Sequence, residues 1–94
     1  MSVDTFKDMT DNKFMQTNQS IKRNLAKKIG IAIKHYRSNK NISQENLASK
    51  IGADRTYISA LEQGNKIASV YCLYMLSQEL DIEIKDLFNF TLQK

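Results

Sequence analysis

Ser43 to Gly64 reads SQENLASKIGADRTYISALEQG. Ser43 fits an N-cap, because its hydroxyl can accept from the free amides of a first helical turn. Leu47, Ala48 and Ile51 then fall on one side of a helix that begins at Gln44. Gly52 ends that helix where the backbone must turn left-handed. Asp54 caps the next helix, Arg55 to Gln63, with Ile58 and Leu61 inward, and Gly64 stops it. Two helices that cross steeply over so short a turn must touch through a small residue, and Ala48 supplies it. Leu47, Ile51, Ile58 and Leu61 therefore face a shared core, while Arg55, Thr56 and Tyr57 point away from it in the first turn of the second helix.

An exposed first turn of this composition suits a helix that enters a DNA major groove by its N-terminal end. The Arg55 guanidinium has the fork geometry to reach O6 and N7 of guanine, and otherwise serves as a phosphate clamp. Thr56 suits a thymine methyl or a phosphate equally. Tyr57 suits a phosphate or sugar better than a base edge. Ser59 and Lys66, in and just beyond the second helix, are placed for the DNA backbone.

Outward from this segment the chain stays helical. Leu25, Ile29, Ala32, Ile33 and Tyr36 recur at helical spacing and predict a first helix over residues 22–38, with Asn41 as a left-handed terminator. Ser69 is the N-cap of a fourth helix, Val70 to Leu80, whose core stripe is Val70, Leu73, Leu76 and Leu80. A short helix over residues 84–88 closes the domain, and nothing reads as a strand pair. The expected fold is all-α, a five-helix bundle over residues 21–94. Residues 1–20 are polar and aperiodic, with Phe6, Met9, Phe14 and Met15 scattered among them. They read as a flexible arm holding at most a helical turn near residues 7–16.

The chain has 94 residues, enough for one domain, and a formal net charge of +4. Its distribution is uneven. Residues 21–40 carry Lys22, Arg23, Lys27, Lys28, Lys34, Arg37 and Lys40 and no acid, whereas residues 67–94 are mildly acidic. A basic half suits a polyanion, although charge alone fits a solvated helix as well; Lys27, Lys28 and Lys34 are expected to act mainly through long-range attraction. The fourth helix leaves Tyr71, Tyr74, Met75 and Gln78 off its core stripe. With Ile82, Phe88 and Phe90 they form either a twofold dimer surface or a face covered by the last helix and tail. No apolar run is long enough to span a membrane, and the N-terminus lacks the apolar stretch of a signal peptide. The lone Cys72 points to a reducing cytoplasm. His35, expected at the surface, and Cys72 lack metal-ligand spacing, and Cys72 has no partnering base. The three glycines stand far apart, so no phosphate-cradling loop exists. No cofactor, no metal and no catalytic residue are expected.

On Ser43, Gln44, Glu45, Leu47, Ala48, Gly52, the run Arg55 to Ser59, and Leu61 to Gly64, the chain resembles the Cro/repressor-type helix-turn-helix family over about Asn24 to Phe88. The run Asp54 to Ser59 is most similar to controller proteins of restriction–modification systems, which are homodimeric regulators timing expression of an endonuclease. The resemblance implies that Ser43 and Gln44, opening the motif's first helix, belong to the DNA-contacting set and that Arg55, Thr56 and Tyr57 are the recognition positions. It implies also that Arg37 and Glu62 pair to tie the first helix to the end of the recognition helix. Two positions depart from the pattern: Ala68 stands where a proline is usual, and Asp81 where a glycine usually follows the fourth helix. The function so implied is a homodimeric transcription regulator on a palindromic operator of double-stranded DNA. An antitoxin-like protein of the same fold, with the arm carrying a protein partner, and a phage or plasmid repressor are the alternatives.

Overall fold

A computed structural model describes residues 12–90, with side chains described from Asn18 onward. Five helices follow one another: α1 (Asn12–Asn39), α2 (Gln44–Lys50), α3 (Arg55–Glu62), α4 (Val70–Leu80) and α5 (Ile84–Asn89). Among the described residues there is no strand, and no helix is long and apolar enough to cross a membrane.

α1 begins at Asn12, ten residues before the expected start, and runs about 42 Å at 1.5 Å per residue. Residues 12–21 offer no apolar stripe, which is why they read as an arm. They contain neither glycine nor proline, however, and extending an established helix costs far less than nucleating one. Residues 1–11 of the expected arm, including Phe6 and Met9, lie outside the described residues.

Helices α1, α2, α3 and α4 all end in the same way. A residue at or just past each cap turns left-handed: Asn41 (φ 59°), Gly52 (φ 73°) and Gly64 (φ 77°) past the ends of α1, α2 and α3, and Asp81 (φ 62°) at the cap of α4 itself. The amide that follows each left-handed residue then returns to a carbonyl five residues back: Ile42 to Arg37 (3.2 Å), Ala53 to Ala48 (2.8 Å), Asn65 to Ala60 (2.9 Å) and Ile82 to Ser77 (3.0 Å). This Schellman pattern satisfies carbonyls the helix leaves unpaired. Asp81 takes the conformation a glycine would take more cheaply, so the departure at that position is absorbed by backbone strain and not by a different loop. At the other departure, Ala68 is buried in the core.

The core forms where the five helices meet. Ala32, Ile33, Leu47, Ala48, Ile58, Leu61, Leu73, Leu76, Leu80 and Leu87 are all buried in a single cluster. Recognition-motif helices α2 and α3 pack on each other, and α3 also lies on α1. That second crossing depends on Gly30. A Cβ there would overlap the carbonyl oxygen of Leu61 and come within 2.8 Å of that of Glu62, so only glycine lets the two backbones approach this closely.

Three expectations need correction. Val70 is not a core residue; it is 76% exposed, because it opens α4 one turn before the helix meets the core. The buried stripe is Leu73, Leu76, Ser77 and Leu80, with the Ser77 hydroxyl donating to the Tyr74 carbonyl at 2.6 Å. His35 is not a plain surface residue but half-buried beside Phe90, with ring centroids 4.5 Å apart. Asp54 occupies the N-cap position of α3 without a side-chain capping bond; its charge still lies favourably near the helix N-terminus. Ser43 and Ser69 do cap, accepting from the amides of Asn46 (2.9 Å) and Cys72 (3.1 Å).

Candidate nucleic-acid interface

The back of α3 is fixed by a polar cluster. Arg37, near the C-terminal end of α1, donates through Nε to Glu62 Oε2 at 2.6 Å and through Nη2 to Glu62 Oε1 at 3.1 Å. Its Nη1 donates to the Ile42 carbonyl at 2.7 Å. The Glu62 side chain is only 3% exposed, and a buried carboxylate is tolerable only with partners of this quality. The pair implied by the family resemblance is therefore present, in bidentate form.

Gln44 extends the cluster toward the front. Its Nε2 donates to Glu62 Oε1 at 2.9 Å, and its Oε1 accepts from Arg55 Nη1 at 3.4 Å. A carboxylate on one side and a guanidinium on the other leave one sensible orientation for the amide. The first residue of α2 thus links the buried ion pair to the first residue of α3. The family resemblance implied a DNA-contacting role for Gln44; the structure adds a positioning role, since it steers Arg55 while Glu62 holds it.

The first turn of α3 is open. Arg55 and Thr56 are exposed, as is Lys66 in the loop beyond the helix. Tyr57 differs from the expectation that it points away from the core. It is half-buried against the core cluster, and its hydroxyl donates to Cys72 Sγ at 3.7 Å. Burial, then the hydrogen bond and charge interaction with Cys72, push the Tyr57 hydroxyl up to about 12, so it stays protonated at neutral pH. Ser59 is also half-buried, and its Oγ accepts from Gln63 Nε2 at 3.0 Å. Ser43 spends its hydroxyl on the cap of α2. The freest groups on this face are Arg55, Thr56 and Lys66.

The expected dimer surface divides in two. Tyr71 is 72% and Tyr74 52% exposed, and Phe88 lies outside as well; Gln78 is exposed. Met75 and Ile82 are half-buried, and Ile82 packs on the core. Phe90 turns inward against Tyr36, with ring centroids 5.7 Å apart. Burial therefore claims part of the apolar set, and the aromatic face of α4 stays open.

Comparison with known proteins agrees with this geometry. The helix-turn-helix domain family matches residues 30–91. Control protein C.BamHI from Bacillus amyloliquefaciens is 41% identical over 54 residues, which span 57% of this chain and 67% of that protein. The restriction-modification controller protein C.AhdI from Aeromonas hydrophila superposes with a TM-score of 0.64 at 36% identity, over 67% of this chain and 96% of that one. The controller C.Esp1396I, solved as a tetramer with its natural 35 base-pair operator, superposes with a TM-score of 0.58 at 31% identity, over 67% of this chain and 93% of that one. The chain belongs to the helix-turn-helix domain family: it is a DNA-binding transcription regulator whose relatives include restriction–modification controller proteins.

Proposed function

We propose that this protein works as a homodimer on a palindromic operator, in the manner of a restriction–modification controller, and that it does so in the cytoplasm without enzymatic activity. The observation that carries the reading is the contrast across α3, whose buried end is held by Arg37 and Glu62 while Arg55 and Thr56 are exposed in the first turn. Arg55 reads a base, Thr56 a thymine methyl or a phosphate, and Lys66 and the Gln44 amide contact the backbone. Tyr57 and Ser59, whose hydroxyls are already engaged, contribute at most a backbone contact. Tyr71, Tyr74, Met75 and Gln78 of α4, with Phe88 of α5 and the edge of Ile82, form the twofold contact. Residues 21–94 form the DNA-binding and dimerising unit in this reading. Association follows from chemistry, because exposed tyrosines beside a methionine are poor surface for a monomer.

The test joins assembly to operator geometry. Duplexes selected by the wild-type protein from a randomised pool are expected to carry two inverted half-sites whose centres lie about 34 Å, one helical turn, or a multiple of that apart. Met75→Lys sets like charges against each other across a twofold. Sedimentation should give a folded monomer at micromolar concentration with much weaker binding to the selected duplex. A variant that remains dimeric moves the interface off α4.

A further inference from the structure

The stripe of α1 that faces the core can be followed in both directions. Over Ala26, Ile29, Gly30 and Ile33 it is buried. Toward the N-terminus the same stripe continues through Gln19, Lys22 and Arg23, at the three- and four-residue spacing of one helical face. It has passed the edge of the core, and its character changes from apolar to cationic. Here α1 and the loop after α3 enclose a groove of about 650 Å³, lined by Lys22, Arg23, Lys27, Tyr57, Asn65 and Lys66 among others. Among the described residues no acid lines it, and none of its four cations is in an ion pair.

We propose that this groove holds the sugar–phosphate backbone of the operator, beside the bases read by α3, so that α1 is a second DNA-anchoring element. The inference rests on the DNA-binding reading above and goes beyond the matched domain, since Lys22, Arg23 and Lys27 all precede residue 30, where the family match begins. Continuity decides the occupant. Two lining residues, Tyr57 and Lys66, belong to the candidate interface, so a duplex seated on α3 passes the mouth of the groove. Four cations, unpaired among the described residues, beside the Asn65 amide suit phosphate oxygens and offer little to a base edge. Lys27, expected from sequence to act mainly by long-range attraction, lies here with its stem against Gly64.

The experiment pairs protein charges with individual phosphates. In the full chain, Lys22→Gln, Arg23→Gln and Lys27→Gln are combined, keeping chain length close to native. A second variant with only the first two spares the packing at Gly64. A control, Lys28→Gln with Lys34→Gln, removes charge from exposed positions of α1 outside the groove. Each is titrated against the selected duplex carrying one neutral methylphosphonate at each backbone position in turn, at several salt concentrations. Each phosphate contact contributes about −0.9 to the slope of log K against log salt. The triple variant should therefore flatten the slope by about 2–3 and bind roughly 10²–10³-fold more weakly near 0.1 M salt. At a few backbone positions per half-site, neutralisation should cost the wild type several-fold and the groove variants nothing, while the control keeps the wild-type pattern. If every position that matters to the wild type matters equally to the groove variants, the proposal is overturned. Unchanged DNA binding alongside loss of inorganic phosphate binding would overturn it too, making the groove a small-anion site. A wild-type protein that enriches no duplex would instead sink the DNA-binding reading itself, so the two failures are distinct.

Discussion

Helices α3 and α4 each send one stripe into the same core and differ in what they leave outside. α3 exposes Arg55 and Thr56, polar groups that water tolerates, while its far end is locked by Glu62. α4 exposes Val70, Tyr71 and Tyr74, apolar surface that water penalises by about 25 cal/mol per Å². A helix held at the back and free at the front is made to probe a polar, charged partner. One with a bare aromatic face is made to be covered. One short domain thus carries two surfaces of opposite chemistry, and the core between them sets their relative orientation.

The strongest way to break the contrast is to unlock the back of α3. Glu62→Ala leaves Arg37 largely buried without its carboxylate and takes the acceptor from Gln44. Loss of one partner of a buried pair costs on the order of 3–5 kcal/mol, and thermal unfolding should show a fall of many degrees. A melting temperature equal to wild type would mean the cluster is ornamental. Gly30→Ala comes next. The added methyl meets the backbone of α3, so about 1–3 kcal/mol is expected in denaturant titration, with weaker operator binding because α3 is displaced relative to α2. No change in either would mean that the two helices do not cross this closely. At the end of α4, Asp81→Gly should do the reverse. Relief of the left-handed backbone should raise stability by up to about 1 kcal/mol, less whatever the exposed 3.4 Å contact from Lys40 to Asp81 contributes. Operator binding should not move. A destabilised variant would show that this contact outweighs the strain.

These residues also mark what could be read from sequence. Ser43 to Gly64 was legible because its constraints are local: a serine hydroxyl within reach of the Asn46 amide, glycines at the two left-handed positions, and apolar residues at helical spacing. Arg37 and Glu62 are 25 residues apart, and only the family resemblance joined them. Gly30 gave no signal, because its meaning lies in a helix crossing that spacing along one helix does not encode. Residues 12–21 misled for the opposite reason: amphipathic periodicity detects helices that bury a face, and this stretch carries no apolar stripe, with residues 18–21 exposed. Val70 failed at the same boundary, since a stripe predicts which side faces inward but not where the core ends. Tyr57 was read as pointing outward from its neighbours Arg55 and Thr56, and the side chain of Cys72 on another helix drew it back.

The claim that the open turn of α3 reads sequence is tested most directly by titrating Arg55→Ala and Lys66→Ala against the selected duplex and its single-base variants over a range of salt. Arg55→Ala should lose about 1–3 kcal/mol at one base position per half-site and relax the preference there, whereas Lys66→Ala should weaken all sequences alike and flatten the salt slope by about one. Equal loss on every sequence with Arg55→Ala would contradict base reading by this residue and make it a phosphate clamp.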